Sequence, residues 1–253
     1  MNAATQIKKD PNFPFVSVIT PTYNRRRFIP YLIECYKAQT YKRDRMEWII
    51  LDDGQDKVKD LFEEASKTIP NLRYIALEEK QTIGAKRNRL NDEARGEIIV
   101  AMDDDDYYVP DRVKHVVESF KRFPKIELAG TSEIYMYYSD IQKIYKLGPY
   151  ITNADGTTNH ATNGTMGWRK SYAKTHRYDE TVTHAEEKSF LDEYKNPMVQ
   201  LDPFKVMLVM SHSENTFDKR KMREEPNPFM KETSMKIKDF IKDGKLRTFF
   251  ATA

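Results

Sequence analysis

"EIIVAMDDDDYYVPDRV" (Glu97–Val113) places four consecutive carboxylates directly behind a short apolar run. Like charges packed together repel, and acidic runs ordinarily belong to solvated loops or tails. This run is framed by structure on both sides. Glu97–Met102 is β-branched, apolar and too short for a helix, which predicts a strand buried on both faces. Pro110 and Asp111 then open a helix whose Val113, Val116, Val117 and Phe120 share one face. The aspartates therefore fall at the C-terminal edge of a strand, where open α/β sheets bind ligands. A bound cation there would relieve their repulsion.

Outward from this point the chain alternates strand and helix. Phe15–Thr20 and Glu47–Leu51 read as buried strands, the first followed by a turn, "PTYNRRR" (Pro21–Arg27), and the second by "DDG" (Asp52–Gly54). Leu72–Leu77 is a further strand. Helical stripes appear at Phe28, Tyr31, Leu32 and Cys35, and at Val58, Leu61, Phe62 and Ala65. A third helix spans Ile83–Gly96. Such alternation implies a parallel sheet wrapped by helices on both faces. Three strand ends then carry polar chemistry, and in a parallel sheet those ends share one edge.

The second half changes character. Ile126–Gly148 is aromatic and β-prone, with a hairpin turn at Ser139-Asp140. Ile151–Trp168 is a long Gly/Asn/Thr-rich loop, a length usually tied to function. His184–Tyr194 reads as a helix, Phe204–Met210 as a strand, and Pro226–Ala253 as a peripheral, partly helical tail.

The 253 residues suffice for one sizeable core. A net charge of +3 gives no reason to expect nucleic acid as a partner. No apolar run is long enough for a bilayer span, and Met1–Phe15 lacks the apolar core of a signal peptide, so a soluble, cytoplasmic protein is expected. The single cysteine, Cys35, reads as an inert core thiol.

Taken together, "VSVITPTYNR" (Val16–Arg25), "WIILDDG" (Trp48–Gly54), "IGAKRNRL" (Ile83–Leu90) and "GEIIVAMDDDDYYVPDRV" (Gly96–Val113) resemble the family 2 glycosyltransferases of GT-A fold. The likeness is most specific over residues 15–112. It continues more loosely to about residue 217 through "NGTMGWRKS", "RYDE", "AEEKSF" and His212. The resemblance implies an α/β, GT-A type domain: a Rossmann-like, mostly parallel central sheet flanked by helices, with a smaller mixed β region on the acceptor side. One domain over residues 1–253 is expected, with a nucleotide-sugar and metal half (13–112), an acceptor half (113–225) and a tail (226–253).

The activity implied is metal-dependent, inverting, non-processive transfer of a sugar from a nucleotide-diphosphate sugar, UDP being the expected carrier, to a carbohydrate or glycoconjugate hydroxyl. The processive relatives' Gln-x-x-Arg-Trp signature and membrane helices are absent from the sequence. Breaking a sugar–phosphate bond concentrates charge on the diphosphate, which a hard divalent cation, Mn²⁺ or Mg²⁺, stabilises. The family pattern Asp-x-Asp-Asp, set in register by Pro110, implies Asp105 as principal metal ligand. Asp103 and Asp104 are then expected near the ribose or metal, and His212 completes the metal site. An EF-hand does not fit, because the run lacks that loop's central glycine and terminal glutamate.

The resemblance further implies Pro21, Thr22 and Tyr23 as the base-binding loop and Asp53 as acceptor for a uracil-type ring NH. Lys86 and Arg87 either meet the diphosphate or form a solvated basic helix face. The acceptor's proton requires a base. The family's Glu-Asp pair appears here as Glu186-Glu187, implying Glu187 as base with Glu186 as the alternative; the plainer reading is two carboxylates at a helix start. Two other functions share parts of this pattern: a sugar nucleotidyltransferase, and a sugar-nucleotide-binding module without catalysis.

Overall fold

The computed structural model describes residues 8–182, 185–215, 218–223 and 227–253. Four strands alternate with helices: β1 (Val16–Thr22), α1 (Ile29–Lys37), β2 (Met46–Asp52), α2 (Lys59–Ser66), β3 (Leu72–Ala76), α3 (Ile83–Glu93) and β4 (Ile98–Ala101). A two-residue strand, β5 (Tyr107–Tyr108), and helix α4 (Arg112–Arg122) follow the acidic run. Strands β1, β2 and β4 are buried along their whole length, the polar Ser17 and Glu47 included, which pair with each other at 2.6 Å.

The second half of the chain supplies β6 (Leu128–Gly130), β7 (Ile134–Tyr138), β8 (Lys143–Leu147), β9 (Gly167–Arg169), α5 (Lys170–Ala173), α6 (Glu187–Phe190), β10 (Met198–Gln200) and β11 (Met207–Ser211). The chain ends with β12 (Met230–Glu232), α7 (Ile237–Phe240) and α8 (Gly244–Thr252). A seven-stranded sheet runs β10-β6-β9-β4-β1-β2-β3. Strands β4, β1, β2 and β3 are mutually parallel, and β9 enters antiparallel between β4 and β6. A second sheet, β12-β8-β7-β11-β5, mixes both senses. The expected α/β architecture with a smaller mixed β region is therefore present.

Several local expectations are corrected. Strand β1 continues through Pro21, whereas a turn was expected there. Strand β4 stops opposite Ile19, so the last residues of β1 pair only with β2, and proline is tolerated on such an edge. The helix expected over 184–194 shrinks to one turn, because Asp192, Glu193 and Tyr194 all adopt left-handed backbone; His184 lies outside the described residues. Phe204 belongs to a short 3-10 turn, Pro203–Lys205, and strand β11 starts only at Met207.

The tail is also corrected, since it is not a peripheral appendage. Asp243 caps α8 by accepting from the Leu246 N–H at 2.8 Å. Phe250 is buried with its ring 5.9 Å from that of Tyr107, and Phe249 stacks on Tyr31 at 3.5 Å. Helix α8 thus closes the core beneath the acidic run. Among the described residues, no helix is long and apolar enough to cross a membrane. Cys35 is a free, buried thiol whose pKa burial pushes up to about 12.

Candidate active site

The parallel register brings Thr22, Asp52 and Ala101 to one edge of the sheet. Asn24, in left-handed backbone, ties the first two loops together: its Oδ1 accepts from the N–H of Gln55 (2.8 Å) and of Asp56 (3.1 Å). Gly54 is required where these loops touch, since a Cβ there would stand 2.7 Å from the Asn24 nitrogen. Asp52 organises its own turn, accepting from the Gly54 and Val58 N–H groups and from the Tyr74 hydroxyl. Pro21 and Thr22 are buried, and Tyr23 is half-buried with the Lys80 ammonium 4.2 Å from its ring centre.

Asp53 has no exposed side-chain surface. Its oxygens accept from Lys86 Nζ at 2.6 Å and from the Gln81 N–H at 2.8 Å. Lys86 also donates to the Thr22 carbonyl at 3.3 Å. Lys86 is therefore a buried partner of Asp53, lying neither on a solvated helix face nor free toward a diphosphate. As arranged, Asp53 is not an open acceptor.

The four aspartates are separated chemically. Asp103 accepts from Arg87 Nη1 at 3.0 Å, and its N–H donates to the Tyr108 hydroxyl at 2.6 Å. Burial and the neighbouring Asp105 charge raise Asp104 to about 7. Burial also opposes ionisation of Asp105, but His212, Lys219 and Arg25 outweigh it and hold this carboxyl below the usual range. Asp105 Oδ2 lies 3.3 Å from His212 Nε2, 3.3 Å from Asn215 Nδ2 and 3.5 Å from Arg25 Nε. Asp106 faces inward to accept from the Met210 N–H at 2.7 Å, and burial raises it to about 7. The mutual repulsion is thus eased by separate partners and by the raised pKa of Asp104 and Asp106.

Arg87 is the junction between the acidic run and the α6 turn. Its Nε donates to Glu186 Oε1 at 2.8 Å while Nη1 holds Asp103. Burial disfavours its charge, but the two carboxylates more than compensate. With the Asn163 amide oriented to satisfy its neighbours, Oδ1 accepts from Arg87 Nη1 at 2.7 Å and Nδ2 donates to the Tyr178 hydroxyl at 2.6 Å. Glu186 is thereby committed to an ion pair. Glu187, the next residue, is raised to about 7 by burial and by the Glu186 charge.

For a divalent cation the fit is partial and specific. Asp105 and His212 present an oxygen and a nitrogen 3.3 Å apart, a pair able to bind one ion. Asp103 does not join them, being turned to Arg87. Among the described residues no three His, Cys, Asp or Glu side chains converge on a common point. The carboxylate suits a hard cation such as Mn²⁺ or Mg²⁺, whose remaining positions are taken by phosphates and water. Two buried polar atoms nearby, Arg25 Nε and Ser211 Oγ, have no hydrogen-bond partner among the described residues.

Arg25, Asn215 and Lys219 were not singled out in the sequence. Arg25 carried a signal, as a cation directly after the Pro-Thr-Tyr-Asn loop. Asn215 and Lys219 carried none, since only the fold returns β11 to the acidic run.

A mostly parallel sheet whose strand ends gather carboxylates beside a mixed β region defines the GT-A class of fold. Solved structures agree: S. aureus TarS 1-349 in complex with UDP-GlcNAc aligns over 79% of this chain and 60% of its own (TM-score 0.65, 20% identity). The mannosyltransferase PcManGT from Pyrobaculum calidifontis, in complex with GDP-Man and Mn²⁺, aligns over 83% and 61% (TM-score 0.60, 16% identity). The chain belongs to glycosyl transferase family 2, whose model matches residues 17–178. Similar curated proteins are glycosyltransferase AglE of Haloferax volcanii, 33% identical over 36% of this chain and 31% of its own length, and putative glycosyltransferase EpsH of Bacillus subtilis, 35% identical over 42% and 30%. The match thus spans about a third of these relatives' length.

Proposed function

We propose that the chain transfers a sugar from a nucleotide-diphosphate sugar, with UDP the favoured carrier, to a hydroxyl of a carbohydrate or glycoconjugate. The transfer is metal-dependent, inverting and non-processive. The observation that carries this reading is the division of labour between adjacent glutamates. Arg87 ties Glu186 to Asp103 of the acidic run, leaving Glu187 at the same crevice as a carboxyl that titrates near neutrality. That is the value a general base requires.

Asp105 and His212 would hold the cation, which when bound supplies Lewis-acid stabilisation to the leaving diphosphate. Arg25, beside Asp105, adds a positive charge for the same phosphates. Pro21, Thr22 and Tyr23 line the base side, with Asp104 below them. A uracil-type contact to Asp53 requires Lys86 to yield one carboxylate oxygen when the nucleotide binds. Glu187 takes the acceptor hydroxyl proton as that oxygen bonds to the anomeric carbon. The electron pair of the old bond departs with the diphosphate on the opposite face, so the configuration inverts. The UDP-GlcNAc and GDP-Man complexes of the structural neighbours support a nucleotide-sugar donor.

The test is a panel of UDP-, GDP- and dTDP-sugars with Mn²⁺ or Mg²⁺. Metal-dependent release of the nucleoside diphosphate and thermal stabilisation are expected, best with UDP-sugars, and NMR of the glycoside should show an inverted anomeric centre. Indifference to every nucleotide sugar would overturn the reading.

A further inference from the structure

Four rings outside the crevice form a continuous series. Phe229 packs on Tyr150 with centroids 4.8 Å apart, Tyr150 on His160 at 5.0 Å, and His160 on Tyr194 at 5.2 Å. The outer end is open to solvent: Phe229 is 44% exposed, and Ile151, next to Tyr150, is 53% exposed. A cluster of exposed large apolar groups marks an interaction surface, unlike apolar residues scattered singly.

The inner end lies on the segment that follows the candidate base. Tyr194 follows the α6 turn that begins at Glu187, and the segment folds back on that turn: the Glu193 N–H donates to the Lys188 carbonyl at 3.0 Å, and Lys188 Nζ pairs with Glu193 at 2.9 Å. The Glu187 charge is felt at the Tyr194 phenol, which burial and that charge raise. Asp192, Glu193 and Tyr194 have φ of 47°, 55° and 63°, three consecutive left-handed residues without a glycine. Backbone of this kind persists only where the surroundings impose it.

The series is also held rigidly. Ser132 is its hub, with Oγ accepting from the Tyr150 N–H at 2.8 Å and meeting His160 Nδ1 at 2.9 Å. Gln200 fixes the other side, donating to the Thr158 and His160 carbonyls at 3.1 Å each and accepting from the Ser132 N–H at 2.9 Å. Gly148 is required where this loop departs, since its φ is +81° and a Cβ would stand 2.1 Å from the Ser132 carbonyl. Burial lowers His160, so its ring is neutral near pH 7. The side-chain hydroxyls of Tyr150 and Tyr194 have no hydrogen-bond partner among the described residues, which leaves both for a ligand.

We infer that Phe229, Tyr150, His160 and Tyr194 form an acceptor track that binds an oligosaccharide over several units and delivers its terminal hydroxyl to Glu187. The inference rests on the glycosyltransferase reading and narrows its acceptor to an extended sugar chain. A pyranose has an apolar C–H face and a hydroxyl rim, matching amphipathic rings with free phenols. Four successive rings exceed the footprint of one sugar. A rigid track spares the ordering cost that a mobile loop would incur on binding.

The test uses ligand-observed NMR with the whole chain and chito-, malto-, cello- and manno-tetraose, each against its monosaccharide. At least one tetrasaccharide is expected to bind about tenfold more tightly than its monosaccharide, and Tyr150→Ala or Phe229→Ala to weaken it by about tenfold. Phe123→Ala, an exposed ring elsewhere, serves as the control and should change nothing. UDP affinity with Mn²⁺, measured on the same samples, reports on folding and on the parent reading. Loss of UDP binding by the wild type sinks the glycosyltransferase reading itself. Normal UDP binding, with no tetrasaccharide preferred or with the two track variants binding like wild type, overturns the track alone. Binding of phosphatidylcholine–phosphatidylglycerol vesicles that these variants abolish would make the patch a membrane surface and equally overturn it.

Discussion

Arg87 Nε donates to Glu186 Oε1 at 2.8 Å, joining helix α3 to the residue before the candidate base. The same guanidinium holds Asp103 at 3.0 Å, so the acidic run and the α6 turn share one buried cation. Positions 87, 103 and 186 are distant in sequence, and neither carboxylate pairs with Arg87 for local reasons. The bridge ties α3, the acidic run and the α6 turn together.

Breaking that bridge should be costly. Arg87→Met leaves the buried Glu186 and the half-buried Asp103 without their cation, which predicts a loss of about 3 kcal/mol. Urea unfolding monitored by tryptophan fluorescence measures it. A loss below about 1 kcal/mol would mean that the bridge is dispensable.

The adjacent glutamates should separate by role. Glu187→Gln is expected to keep nucleotide and metal affinity and lose transfer by about 10²–10⁴-fold. Glu186→Gln weakens the hold on Arg87, so its larger effect should fall on stability. Normal turnover in Glu187→Gln would remove Glu187 as base, and an inactive but stable Glu186→Gln would move the role one residue back.

The pH dependence follows from the same residue. As the proposed base Glu187 must be ionised, and burial beside Glu186 raises it to about 7. Transfer at saturating donor should therefore rise with pH through about 7 and fall about tenfold per unit well below it. A profile flat from pH 5 to 8 would exclude this group from the rate-determining proton transfer.

What the sequence disclosed and what it withheld divide on physical grounds. Strands β1, β2 and β4 announce themselves because a strand covered on both faces is rich in apolar, β-branched residues, as in Trp48–Leu51 and Ile98–Ala101. Parallel register then implies where Asp53 and Asp103–Asp106 gather. Ion-pair partners stayed hidden: Lys86 and Arg87 look like surface cations in "GAKRNRL", and only tertiary packing buries them against Asp53, Asp103 and Glu186. Strand β9 escaped notice because three residues are too short to show a period. The α6 turn was overextended because its acidic sequence favours a helix that the left-handed residues 192–194 interrupt. The tail's burial was missed because Leu246, Phe249 and Phe250 stand among charged neighbours.

Helix α8 should matter to the site as well as to the core. Phe249 packs edge-on to Phe28 at 5.6 Å, and Phe28 lies 4.6 Å from the His212 ring. Phe250→Ala, at a fully buried ring, should cost about 3–5 kcal/mol. Phe249→Ala should weaken Mn²⁺-dependent UDP binding by loosening the support of His212. Calorimetry showing unchanged Mn²⁺–UDP affinity in Phe249→Ala would confine α8 to a purely structural role.

The central claim is that Asp105, paired with His212, anchors the cation that a departing nucleoside diphosphate needs. It is tested most directly by measuring UDP release from UDP-sugars with Mn²⁺ and with EDTA, in the wild type and in Asp105→Ala. The account predicts Mn²⁺-dependent release by the wild type, none with EDTA, and none from a folded Asp105→Ala under either condition. Equal release by Asp105→Ala, or wild-type release undiminished by EDTA, would contradict it.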